Sequence, residues 1–106
     1  MEVTIKPAAA AQLKMIEFKE NEGVRIEAIF VGSCSLYAEH DLRIDQKGPQ
    51  DDLFITEGIP VLVSKESQKH LFHKISLDYS PALGYKLSSD EETYRYNLQL
   101  KHHKNS

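Results

Sequence analysis

Residues 24–44 read VRIEAIFVGSCSLYAEHDLRI, and this stretch decides the fold prediction. Apolar and polar side chains alternate at 24–28 and again at 36–44, which is the pattern of strands with one buried face. Residues 28–31 are all apolar, which is typical of a strand that becomes buried on both faces. The small residues of Gly32-Ser33-Cys34-Ser35 lie between the two halves. The stretch therefore predicts two strands joined by a loop that presents the thiol of Cys34.

Two helices are predicted on either side of this pair of strands. The composition from Ala8 to about Glu20 favours a helix, and Pro7 before it suits a first helical turn. The apolar face of this helix consists of Ala9, Leu13 and Ile16. A second, short amphipathic helix is predicted at 65–74, behind Ser64, because serine is a favoured helix cap.

The remaining predicted strands are short, and they lie at 3–6, 53–56, 59–63, 75–79, 82–87 and 93–100. The last one shows the clearest alternation, with Tyr94 and Tyr96 on one face. These two tyrosines could line a ligand pocket, form a dimer contact or pack in the core. Many short strands and two helices in one chain predict an α+β fold with a mostly antiparallel or mixed sheet.

Size and charge restrict the function further. The 106 residues carry 13 basic and 16 acidic side chains, a net charge of −3, which suits one domain over 1–100 with a flexible tail at 101–106. The sequence has no basic patch of the kind that binds nucleic acid or an anionic membrane surface. No apolar run approaches the roughly 20 residues of a membrane span, and the amino terminus lacks a secretory core. We expect a cytoplasmic protein.

Cys34 is the single cysteine of the chain, so it cannot form an internal disulfide. A thiol in a small-residue loop after a buried strand is typical of a metal-binding or redox thiolate. The alternative is that Cys34 is a small apolar residue at the end of a strand.

The five histidines are His40, His70, His73, His102 and His103. Two of them, His70 and His73, lie three apart on the second predicted helix, which is a spacing compatible with metal binding or with an exposed helix face. A nucleophile–base pair of Cys34 and His40 would be separated by about 20 Å along an extended strand. Since the sequence also lacks the motifs of known catalytic loops, we predict that the protein is not an enzyme.

Four stretches occur together in the order and spacing of one family. They are VTIKPAAAAQL at 3–13, GSCSLY at 32–37, GIPV at 58–61 with Ser67 after it, and LDY at 77–79. From residue 2 to about residue 87 the chain resembles the HesB-like (A-type) iron–sulfur carrier family. The resemblance implies a compact α+β domain with a strongly bent, mixed or antiparallel β-sandwich and two helices. It also implies a role in iron–sulfur cluster assembly or transfer.

The resemblance assigns one ligand, Cys34. In that family a loop cysteine is joined by a Cys-Gly-Cys near the carboxyl end, and the three bind iron or a cluster, usually across a dimer. Here only the loop cysteine is present, since a strand rich in Tyr and Leu follows Gly84-Tyr85. We expect weak or partner-dependent binding of iron or a cluster, a homodimer, and cluster-assembly proteins as partners. The alternative is a metal-free module that keeps the fold and binds a protein or a small ligand.

Overall fold

The computed structural model describes residues 1–30 and 38–102, which form nine strands and two helices. In chain order they are β1 (Glu2–Ile5), α1 (Pro7–Leu13), β2 (Glu22–Phe30), β3 (Ala38–Gln46), β4 (Asp51–Thr56), β5 (Ile59–Ser64), α2 (Lys65–Gln68), β6 (Lys74–Ser80), β7 (Gly84–Ser89), β8 (Thr93–Leu98) and β9 (Leu100–His102). The predicted α+β fold is confirmed. Neither described helix has the length or the apolar character needed to cross a bilayer.

The strands form two mixed sheets. One has the order β1-β6-β7-β8 and the other the order β4-β5-β2-β3-β9. Three of the neighbouring pairs are parallel, namely β1 with β6, β2 with β5 and β3 with β9. The other pairs are antiparallel.

The core is formed by apolar side chains of both sheets and of α1. The alternation at 24–28 and 36–44 places Val24 and Ile26 of β2 on the buried face, opposite Ile44 and Leu42 of β3. The other sheet contributes Ile75, Leu77 and Leu87, and α1 contributes Leu13. Burial of this apolar surface is the main contribution that holds the two sheets together.

Helix α1 ends at Leu13, seven residues before the predicted end near Glu20. The backbone bonds tighten after this point, with the N–H groups of Met15 and Ile16 donating to carbonyls three residues earlier. Ile16 and Phe18 both pack against the core. Two residues two positions apart point to opposite sides of an α-helix, so both reach the core only because the helix has already ended.

Helix α2 is also shorter than predicted, because it ends at Gln68. Its predicted cap is confirmed, since the Ser64 hydroxyl accepts the backbone N–H of Ser67 at 3.0 Å. The chain must reach β6 at Lys74, where Glu2 of β1 pairs with it. His70 and His73 therefore do not share a helix face, and the predicted helix over 65–74 is too long.

The alternating segment at 93–100 is divided between the two sheets rather than forming one strand. β8 pairs with β7, whereas β9 pairs with β3. Asn97, at the end of β8, has a φ of 58°, a left-handed conformation that asparagine tolerates better than most residues. Lys101 and His102, assigned from the sequence to a flexible tail, are paired in β9.

Candidate functional site

The candidate site lies at the connecting end of the β2–β3 hairpin. Phe30 and Ala38 are cross-strand partners there, and the sequence between them contains Cys34. Residues 31–37, and with them the predicted ligand Cys34, lie outside the described residues. The described groups at this end of the molecule come from β3, from β8, which packs against it, and from the segment before β6.

Ser67 holds β2 in place near the site. β2 pairs with β5 through Val24 and Arg25, and further along the strand the Ala28 N–H donates to the Ser67 hydroxyl at 3.1 Å. Ser67 is 1% exposed, and its own N–H is bonded to Ser64. A buried N–H left without an acceptor costs about 1–3 kcal/mol. The pairing of β2 with β5 does not extend to Ala28, so the Ser67 hydroxyl supplies the acceptor there.

His40 lies on the core face of β3, two residues before the fully buried Leu42. Its Nε2 atom is buried and has no hydrogen-bond partner among the described residues. Burial lowers the pKa of His40 below its ordinary value, and the positive charge of Arg95 lowers it further, while Glu92 acts in the opposite direction. The imidazole is therefore neutral near pH 7.

Tyr94 of β8 fixes the position of the His40 ring. The two ring centroids are 5.0 Å apart with an interplanar angle of 31°. The Tyr94 hydroxyl accepts the backbone N–H of Phe72 at 2.6 Å, and the Phe72 ring stacks at 6.3 Å. Of the two tyrosines predicted to share a face, Tyr94 thus belongs to this site, whereas Tyr96 is 50% exposed beside Lys86.

An open cleft of about 330 Å³ borders His40. Its charged side chains are Glu27, Glu39, Asp41, Arg95 and Lys101. Two of the three carboxylates are engaged by a cation: Arg43 Nη1 donates to Glu27 at 2.7 Å and to Asp41 at 2.9 Å. These carboxylates are therefore less available to a bound metal ion than their location suggests.

Arg25 lies on the same face of β2 as Glu27, and it forms a buried ion pair there. Arg25 donates to both carboxylate oxygens of Asp51, at 2.6 and 2.7 Å, and also to Asp45 at 3.0 Å. The hydrogen bond from Arg25 is the chief reason that the pKa of Asp51 lies below its usual range. This pair could not be predicted from the sequence, because the partners are 26 positions apart and meet only through the strand register.

Within 1–30 and 38–102, no three His, Cys, Asp or Glu side chains form a group that could hold a metal ion. Among the other histidines, His70 pairs with Glu66 at 3.5 Å and His73 is exposed. The side chain of His102 and all of His103 lie outside the described structure. The described residues therefore contain no group of three ligands for a metal ion. They do contain one imidazole with a buried Nε2 atom, that of His40, whose ring contacts Tyr94.

Comparison with known proteins gives one family and one fold. The family model described as "Iron-sulphur cluster biosynthesis" matches residues 1–102. No curated protein matches the chain.

Solved structures share this fold, two of them from species of Lactobacillus. One is a candidate Fe-S biosynthesis protein from Lactobacillus acidophilus, with a TM-score of 0.64 and 19% identity over 96% of this chain and 90% of that chain. The other is a candidate Fe-S biosynthesis protein from Lactobacillus salivarius, with a TM-score of 0.71 and 14% identity over 96% of this chain and 98% of that chain. At these identities the likeness supports the fold alone.

Proposed function

The chain belongs to the iron–sulfur cluster biosynthesis family, and we propose that it is a non-enzymatic carrier of iron or of an iron–sulfur cluster. Family membership supports a role in cluster assembly. The observation that carries the proposal is the match over residues 1–102, which includes the β2–β3 hairpin and its single cysteine. In this proposal the thiolate of Cys34 is a ligand, and the iron or cluster is cargo that the protein receives and passes on.

Counting ligands indicates how firmly the cargo is held. A two-iron or four-iron cluster takes four protein ligands, usually cysteines, with two histidines in some proteins. A two-fold dimer of this chain supplies two thiolates from its two copies of Cys34. The other two ligands must be nitrogen atoms of the protein or external thiols such as glutathione. We therefore expect binding that is weak, or that depends on a partner from the cluster-assembly machinery.

The alternative function is a metal-free binding module that retains the fold. It is favoured by the sequence after β7, which contains no cysteine where the resembled carriers have two. In that case the cleft beside His40 would receive a protein segment or a small ligand.

Anaerobic reconstitution tests the proposal. The purified protein is incubated with ferrous iron and sulfide, desalted, and analysed for bound iron, bound sulfide and visible absorbance. We expect the wild type, when glutathione is present to supply the missing thiols, to retain both elements and Cys34→Ser to lose them, because the variant has no thiolate. Met15→Ser, which removes a sulfur atom from a side chain that is 73% exposed, should behave as the wild type.

The proposal would be contradicted by a wild type that retains no iron, with or without added glutathione. Equal retention by Cys34→Ser would contradict the assignment of Cys34. Circular dichroism of both variants verifies that the fold is intact.

A further inference from the structure

β4 is a free edge of the five-stranded sheet, and it lacks the features that usually keep an edge strand from pairing with another chain. Its only described strand neighbour is β5. Edge strands are commonly protected by a short length, a bulge or a lysine. β1 and β9 have only four and three residues, and β8 pairs with β7 through an irregular register. β4 has six residues, pairs with β5 without a register shift, and exposes Leu53 at 46% and Ile55 at 69%.

The turn between β4 and β5 determines which backbone groups of β4 are unpaired. In a two-residue hairpin the residues that flank the turn exchange both hydrogen bonds, and bonded and non-bonded pairs alternate from there. Thr56 pairs with Ile59 beside the turn, so Ile55 and Leu53 occupy non-bonded positions. Pro60, which has no N–H, is the partner of Ile55 and agrees with this assignment. The N–H and C=O groups of Leu53 and Ile55 therefore point away from β5, and no described backbone group bonds to them.

This free edge is complementary to a second copy of itself. When two copies pair antiparallel about a two-fold axis at Phe54, Leu53 lies opposite the partner's Ile55, and Ile55 lies opposite the partner's Leu53. Each pair exchanges two hydrogen bonds, so the contact uses all the unpaired groups of these two residues. Opposite residues lie on the same face of a sheet, so the exposed aliphatic side chains of both copies form one cluster. Asp52 lies opposite the partner's Thr56, which carries no charge.

The two neighbouring registers are less favourable. A two-fold axis at Leu53 places Ile55 opposite the partner's Asp51, and an axis at Ile55 places Leu53 opposite the partner's Glu57. Each of these registers sets an aliphatic side chain against a carboxylate, whereas the register about residue 54 pairs aliphatic with aliphatic. In that register the partner's Glu57 approaches Asp51, whose charge is already paired with Arg25.

We propose that this protein self-associates through β4, with the two copies of the strand paired antiparallel about Phe54. Two five-stranded sheets then form one sheet of ten strands. A contact of one strand from each copy is smaller than the roughly 1,200–2,000 Å² of stable interfaces, so we expect a dimer that dissociates on dilution. The two copies of β2 run antiparallel in it, so their hairpin ends face opposite directions. This contact is therefore distinct from one that shares a cluster between two thiolates, and the inference does not depend on the proposed function.

Sedimentation velocity of the metal-free protein tests the inference. A series of protein concentrations is measured with a chelator and a reducing agent, so that neither a metal ion nor a disulfide between two copies of Cys34 links the chains. We expect the wild type to change from monomer to dimer as its concentration rises. Ile55→Lys should raise the dissociation constant about tenfold or more, because the altered pair occurs twice in the dimer. The matched control Leu83→Lys introduces the same charge at a turn residue that is 49% exposed, and it should leave the constant unchanged.

A charge-pair variant tests the register. Leu53→Lys and Ile55→Glu should each weaken the dimer when made alone. In the double variant, each introduced lysine lies opposite an introduced glutamate of the partner, so the dimer should recover and should weaken again in high salt. The two neighbouring registers would place like charges opposite each other. A double variant that does not recover would therefore overturn the register about Phe54.

Circular dichroism verifies the fold of each variant, and Leu53→Lys provides the second test if Ile55→Lys does not fold. A wild type that stays monomeric at every concentration would overturn the inference, since the edge would then be free or bound by a different protein. A dimer that folded Ile55→Lys and Leu53→Lys leave unchanged would also overturn it. Neither result concerns iron retention, so the proposed function would stand. A chain that retains no iron would overturn the proposed function and leave this contact intact.

Discussion

Replacing Arg25 by methionine should destabilise the protein by about 3–5 kcal/mol, because the buried carboxylate of Asp51 would lose its partner. The side chains of Arg25 and Asp51 are only 11% and 4% exposed, so water cannot replace the lost hydrogen bonds. Urea unfolding followed by circular dichroism measures the change. The double variant Arg25→Met, Asp51→Asn removes both charges and keeps an acceptor for the Gly48 N–H, which bonds to Asp51 at 2.6 Å. This variant should recover part of the loss.

The same pair should make stability depend on acid pH. Because the pKa of Asp51 is lowered in the folded state, chiefly by Arg25, the folded protein binds fewer protons than the unfolded chain in mild acid. The stability that the pair contributes is therefore full above the unfolded pKa of about 3.9 and is lost as pH falls through the lower folded pKa. In the double variant this loss should be smaller than in the wild type. Equal acid sensitivity would show that the pair does not contribute.

Replacing Leu77 by alanine should cost about 2–5 kcal/mol, since it removes a large side chain from the centre of the core. Leu77 is fully buried on β6, between its partners Ile5 of β1 and Leu87 of β7. The matched control is Leu83→Ala, because Leu83 is 49% exposed in the turn before β7. It should change the free energy of unfolding by about 0.5 kcal/mol or less. Similar losses for both variants would contradict the described packing.

Most strands could be predicted from the sequence because alternation reports directly which face is buried. The predicted strands at 53–56 and 59–63 left two residues between them, Glu57 and Gly58, and both have the positive φ of a two-residue hairpin turn, 56° and 76°. The division between β8 and β9 could not be predicted. The left-handed conformation of Asn97 interrupts the extended backbone, but the apolar side chains Leu98 and Leu100 still reach the core, so the alternation looks unbroken.

The ends of the helices escaped prediction for a different reason. Residues after Leu13 and after Gln68 favour a helix by composition, but contacts with the sheets decide where each helix ends. The predicted helix over 65–74, on which His70 and His73 would have shared a face, was therefore too long.

The candidate site was predicted only in part. Cys34 came from the loop sequence and the family resemblance, and its surroundings lie outside the described residues. The sequence also singled out His40, but only as a base for Cys34. Its ring contacts Tyr94, a residue 54 positions away that the fold brings to it, and no local pattern records that contact.

Cluster transfer is the measurement that tests the carrier function most directly. The reconstituted protein is mixed anaerobically with a metal-free ferredoxin that takes a two-iron cluster, in the presence of an iron chelator. We expect the ferredoxin to acquire its cluster, seen by circular dichroism, faster than from equal amounts of free iron and sulfide. If the chelator removes the iron and the ferredoxin stays empty, the protein is not a carrier.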